Sequence, residues 1–212
     1  MTNSPKEIEG SDLAKVSGGN FSNRFGTEGD DVINTGSGMD KIFAGGGNDT
    51  ISSGGGQDEV HAGAGDDVVE AGAGDDLVLG GAGNDYIHGG AGSDEMHGEA
   101  GNDILDGGAG DGAADFAFGG DGNDTFVWAP GDGNDEFHGG NGQDTLRLPG
   151  MNLETFQNAL QLYTPGVEIL VNSMGQVSFV NQAGQQVSFS GQITIGGETM
   201  KFFDVERIQI QF

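Results

Sequence analysis

Apolar positions recur through the middle of the chain at a fixed interval of nine residues. Ile33, Ile42, Ile51, Val60, Val69, Val78, Ile87, Met96 and Leu105 mark the interval without a slip. Two residues before each stands an aspartate: Asp31, Asp40, Asp49, Asp58, Asp67, Asp76, Asp85, Asp94 and Asp103. A glycine-rich stretch precedes each aspartate, as in AGGGND (44–49), GGAGND (80–85) and GGAGSD (89–94). Self-similarity at a short fixed period marks a structural repeat, and it overrides the loop reading that so much glycine would otherwise invite.

Residue chemistry predicts the shape of one unit. Consecutive glycines permit positive φ and close backbone approach, so the first six residues form a tight turn. The last three form a short strand whose middle residue points opposite to its neighbours. Two units then complete one turn of a flattened helix, and the aliphatics of odd and even units stack in two facing columns. The fold predicted is all-β, a parallel β-roll with two nonapeptides per turn. Its two edges stack aspartates and backbone carbonyls, an oxygen-only cage that suits Ca²⁺ and suits Zn²⁺ or Cu²⁺ poorly. Stacked carboxylates repel unless a divalent cation lies among them. Fold and metal site are therefore expected to form together.

Composition sharpens this. Gly is 44 of 212 residues, about three times ordinary usage, while Pro is only 4. Net charge is −27, and no Lys or Arg occurs between Lys41 and Arg147. Such a chain repels itself and stays extended until a cation neutralises it. Nucleic acid and anionic lipid are poor partners for that field. No apolar run approaches the ~18 residues of a membrane span. With no cysteine, a disulfide framework and a thiolate metal site are excluded.

The units resemble the RTX, or haemolysin-type calcium-binding, repeat G-G-x-G-x-D-x-U-x over residues 26–147. The resemblance implies a parallel β-roll with several Ca²⁺ ions in both rows of turns. It also implies ligands, namely the sixth-position aspartates and glycine carbonyls ahead of them. The aspartates are the nine named above together with Asp124, Asp135 and Asp144. The carbonyls are those of Gly36, Gly38, Gly45, Gly47, Gly54, Gly56, Gly63, Gly65, Gly72 and Gly74. Gly81, Gly83, Gly90, Gly92, Gly101, Gly120, Gly122 and Gly142 continue the set.

Some units depart from the pattern. GTEGDDVIN (26–34) has Thr27 for a glycine and reads as a capping turn. GGAGDGAADFAF (107–118) carries three extra residues and puts Gly112 in the aspartate place, so Asp111 and Asp115 both stand as substitutes. Trp128 and Ala129 are inserted before PGDGNDEFH (130–138). Phe126 and Phe137 replace smaller aliphatics, and the roll is expected to thicken there.

The boundaries read as 1–19 leader, 20–25 linker, 26–148 roll and 149–212 cap. In MTNSPKEIEGSDLAKVSGG, Ile8, Leu13 and Val16 share a helical face ahead of Gly18-Gly19. This resembles the double-glycine leader of substrates that peptidase-containing ABC transporters export and trim, with cleavage after Gly19. A short amphipathic helix with a glycine cap is the plainer alternative. From Met151 glycine thins out. LETFQNALQL (153–162) has helical spacing, and VEILV, QVSFV, QVSFS, QITI, MKFF and RIQIQF alternate as strands of a small antiparallel cap. Resemblance to RTX proteins adds that this end could hold an uncleaved type I secretion signal.

HExxH, GxSxG, a phosphate loop and a catalytic cysteine are all missing, so no enzyme is expected. His61, His88, His97 and His138 each follow a ladder aspartate by three and are expected to point outward. Function is expected to be a secreted, extracellular, calcium-dependent protein of a matrix or cell surface. The rivals are an accessory module of a polysaccharide-modifying enzyme and a toxin or bacteriocin-like effector.

Overall fold

The computed structural model describes residues 6–8, 21–172 and 176–211. In chain order the strands begin with β1 (Lys6–Ile8), β2 (Phe21–Phe25), β3 (Asp31–Ser37), β4 (Met39–Gly46), β5 (Thr50–Gly55) and β6 (Glu59–Ala64). There follow β7 (Val68–Ala73), β8 (Leu77–Ala82), β9 (Tyr86–Ala91), β10 (Glu95–Ala100), β11 (Ile104–Asp106) and β12 (Phe116–Gly122). The roll closes with β13 (Thr125–Val127), β14 (Glu136–Gly142) and β15 (Thr145–Pro149). Beyond it come α1 (Leu153–Ala159), β16 (Leu160–Leu162), β17 (Glu168–Val171), β18 (Gln176–Val180), β19 (Phe189–Ile195), β20 (Glu198–Val205) and β21 (Arg207–Gln211).

Successive strands alternate between two sheets. One holds eleven strands in the order β1-β3-β5-β7-β9-β11-β13-β15-β21-β18-β17, the other ten in the order β16-β19-β20-β14-β12-β10-β8-β6-β4-β2. Within the roll all pairings are parallel, with Val69 beside Ile51 and Ile87 two units apart in sequence. The aliphatic columns face one another, and Ile33 through Leu105 are fully buried. The thickening appears where expected: Phe126, Trp128 and Phe137 are fully buried and join Phe156, Phe189 and Phe202 in one core.

Two expectations need correction. Strands run about six residues rather than three, because ladder pairing continues through the first glycines, as in Gly54 beside Gly72. At Gly54, with φ +97, a Cβ would fall on the Gly36 carbonyl oxygen. Glycine thus lets turn backbone approach as closely as strand backbone does. The 20–25 linker is instead largely strand, since Phe21–Phe25 pairs in parallel with β4. The antiparallel cap expected at the C-terminus is present in the pairs β16–β19, β19–β20, β17–β18 and β18–β21, and β20 and β21 join it to the roll by pairing in parallel with β14 and β15. The helix forms where spacing predicted it, capped by Asn152, whose side chain accepts from Thr155 N at 2.9 Å. It stops at Ala159, three residues early.

Within the segment read as a leader, Lys6–Ile8 forms a strand parallel to β3. Leu13, Val16, Gly18 and Gly19 lie outside the described residues. On the outer face of the ten-stranded sheet the residue after each core aliphatic forms stacked columns. Phe25, Phe43 and His61 stack at 5.5 and 4.7 Å, and His97, Phe118, His138 and Phe203 at 4.7, 5.0 and 4.6 Å.

Candidate metal centre

The sixth-position aspartates form two ladders, one on each edge. On the first, Asp31, Asp49, Asp67, Asp85, Asp103 and Asp124 each donate a backbone N–H to Oδ1 of the next rung, at 2.7–2.9 Å. On the second, Asp40, Asp58, Asp76, Asp94 and Asp115 do the same over 2.7–2.9 Å. The irregular unit is thereby resolved. Asp115 is the rung, accepting from Asp94 N across 21 residues rather than 18, and the three extra residues bulge outward. Asp111 is exposed and ties the turn instead, accepting from Gly92 N and Ala113 N at 2.7 and 2.9 Å.

One oxygen of each carboxylate is thus used. The other has no hydrogen-bond partner in Asp49, Asp58, Asp67, Asp76, Asp85, Asp94, Asp103, Asp124 and Asp144, all of them buried. An anionic oxygen left unpaired in a buried place is expensive, and a cation is the partner that relieves it. Its position is repeated along both edges. Over Gly80 the place of a Cβ is approached by Asp85 Oδ2 and, at 3.1 Å, by the Gly98 carbonyl. The same pair recurs over Gly89 as Asp94 Oδ2 with Gly107 O, and over Gly98 as Asp103 Oδ2 with Gly119 O. These first-position carbonyls were not singled out in the sequence, where attention fell on the glycines at positions two and four. Glu99, at φ 72, fills a second-position slot that the other units, apart from Thr27 in the first, give to glycine, and its carbonyl lies against Gly120. Among the described residues no three His, Cys, Asp or Glu side chains are assembled for a metal. The edge offers single carboxylates and carbonyls instead.

The first rungs differ. Asp31 Oδ2 accepts from Thr27 N and Oγ1 at 2.6 and 2.9 Å, leaving only Oδ1 without a partner. Asp40 accepts from the Ser22 hydroxyl. The four histidines are partly exposed as expected. Three pair with glutamates two residues back, His61 with Glu59, His97 with Glu95 and His138 with Glu136, at 2.7–2.8 Å. His61 and His97 are two turns apart, about 10 Å, too far to share an ion.

Burial, opposed by the ladder hydrogen bonds, pushes Asp49 and Asp76 up to about 6, and Asp85, Asp94 and Asp124 to about 7. The folded values lie above the ordinary 3.8, so protonated rungs stabilise the metal-free fold below that value, and the contribution is lost as pH rises through 6–7. In chelator, strand content by circular dichroism should therefore be highest near pH 4 and fall toward pH 8. Calcium affinity should run the other way, weakening as pH drops from 8 to 6, because proton and ion compete for the same oxygens. A calcium midpoint equal at both pH values would contradict this assignment.

Taken together, the fold and its edges define a parallel β-roll whose turns present unpaired oxygens to a hard divalent cation. The family model for the RTX calcium-binding nonapeptide repeat matches residues 25–60, 52–87, 79–113, 111–127 and 131–147, more than half of the chain. The chain belongs to this family, and its cofactor is Ca²⁺, several ions per chain. No curated protein matches it.

Proposed function

We propose that this chain is a secreted, non-enzymatic RTX protein that stays unfolded inside the cell and folds around Ca²⁺ outside it, as a matrix or surface component. The observation that carries the reading is the row of buried, unpartnered carboxylate oxygens on a chain of net charge −27. The ions would be held by Asp49, Asp67, Asp85, Asp103, Asp124 and Asp144 on one edge and by Asp58, Asp76, Asp94 and Asp115 on the other, with glycine carbonyls completing each shell. Each residue's part is simple: Oδ1 holds the preceding turn in register and Oδ2 faces the ion. Extracellular calcium modules work at about 10⁻⁴–10⁻³ M, well above cytosolic levels, so the gradient across the membrane acts as the folding switch. A chain without cysteine can thread a transporter unfolded, and folding outside opposes its return. Among the described residues no helix is long and apolar enough to cross a membrane.

Residues 1–19 serve in this reading as a double-glycine leader, 26–148 as the calcium-binding roll and 149–212 as the cap that carries a type I signal. Intact-mass measurement of the exported protein tests it. The mature chain should begin at Asn20, and Gly18→Val with Gly19→Val should abolish trimming. An exported protein that still begins at Met1 or Thr2 would remove the leader from the proposal and leave the C-terminal segment as the export signal.

A further inference from the structure

The repeat pattern ends at Arg147, yet the ladder does not. Asp144 donates its backbone N–H to Oε2 of Glu206 at 2.7 Å, as each earlier rung donates to the next aspartate. Arg207 N donates to Asp144 O at 3.0 Å, as Thr145 N does to Asp124 O at 2.8 Å. Phe202 lies beside Phe137 and Ile208 beside Leu146, so both core columns also continue. Residues 199–211, with no glycine among them, thus build one more rung of the first edge.

The surroundings of the rung are reproduced as well. Over Gly139 the place of a Cβ is approached by the Asp204 carbonyl and, at 2.6 Å, by Asp144 Oδ2. This is the arrangement found over Gly119, where Asp124 Oδ2 meets the Gly139 carbonyl. Asp204 adopts φ 52 to bring its carbonyl there, one of two non-glycine residues with positive φ among those described. Asp144 is fully buried and its Oδ2 has no hydrogen-bond partner. Only Val205 separates Asp204 from Glu206, whereas four residues separate Gly139 from Asp144. The turn is three residues shorter, and the extra methylene of a glutamate spans the shortfall.

We propose that Asp144 Oδ2, the Asp204 carbonyl and the Glu206 carboxylate form a terminal Ca²⁺ site outside the nonapeptide repeats, which fastens the C-terminal segment to the roll. The inference rests on the calcium reading of the ladder and extends it to residues that no repeat motif includes.

Native mass spectrometry of the full chain in calcium tests it by counting ions. Glu206→Gln keeps an oxygen to accept from Asp144 N but loses the charge, and it should bind one ion fewer than the wild type. Glu168→Gln, an exposed position on the same segment, should keep the full count. A full count in Glu206→Gln would overturn the site and leave Glu206 a plain hydrogen-bonding cap. Should that variant fail to fold, the anomalous-difference map of wild-type crystals grown with Ca²⁺ decides. A peak between Asp144 and Glu206 supports the site. Peaks along the ladder with none there overturn it alone, and no peaks anywhere overturn the calcium reading itself.

Discussion

In chelator at about pH 8 the purified chain should give the circular dichroism of coil, and millimolar Ca²⁺ should convert it cooperatively to strand. Through most of the roll each nonapeptide buries a single aliphatic between the sheets, so the core is thin for the backbone it must order. Against it stand the unpartnered carboxylate oxygens at one strand spacing, with no Lys or Arg between Lys41 and Arg147 to offset them. Calcium removes both obstacles at once, and metal binding becomes folding free energy. Equal Mg²⁺ should not substitute, because it sheds water reluctantly and demands a tight octahedron that carbonyl-rich turns do not supply. The effect expected is nearly the whole strand signal. A strand spectrum that survives EDTA at that pH would refute the coupling.

The second large effect separates two aspartates one atom away from their amides. Asp85→Asn keeps an oxygen for Asp67 N but withdraws charge from the unpartnered Oδ2. Its calcium midpoint should rise at least about tenfold, since losing a residue that merely supports a metal ligand already costs that much. Asp66 sits one place before a rung, is exposed, and accepts from Asn84 N and Nδ2 at 2.7 and 2.9 Å through Oδ1. Those bonds lower its pKa. Asn at this place can still accept both, so Asp66→Asn should shift the midpoint little, while Asp66→Ala, which loses both hydrogen bonds, should raise it only slightly. Calcium titrations followed by circular dichroism check all three. Equal shifts for Asp85→Asn and Asp66→Asn would mean the turn register is wrong.

Much of this was legible because the repeat states its geometry many times over. The ladder register, the facing aliphatic columns and the buried Phe126 and Phe137 all follow from a nine-residue period and side-chain size. What escaped had no signature of its own. The strands run into the glycines because backbone pairing depends on absent Cβ atoms rather than on apolar pattern. The first-position carbonyls could not be distinguished from other glycine oxygens without the fold. Asp115 and Asp111 were equivalent on paper, and only the loop geometry separates rung from tie. Glu206 and Asp204 lie between two stretches that read as ordinary alternating strand, with no glycine to mark a turn, since an αL aspartate and a long glutamate replace the glycine turn by a different route. The stacked columns of Phe and His were hidden because their members alternate in chemistry and share only shape.

The ladder also has a direction. Each rung's amide is satisfied by the carboxylate of the rung that follows it in sequence, from Asp31 on to Glu206, and never by the one before. The last turn of any stack therefore carries an amide whose acceptor must come from the turn that follows it, whereas every earlier turn already has its acceptor. The nonapeptide repeats themselves supply no acceptor for the last rung of the first edge; Glu206 supplies it, so a roll cut before that residue would end on an unsatisfied Asp144 amide.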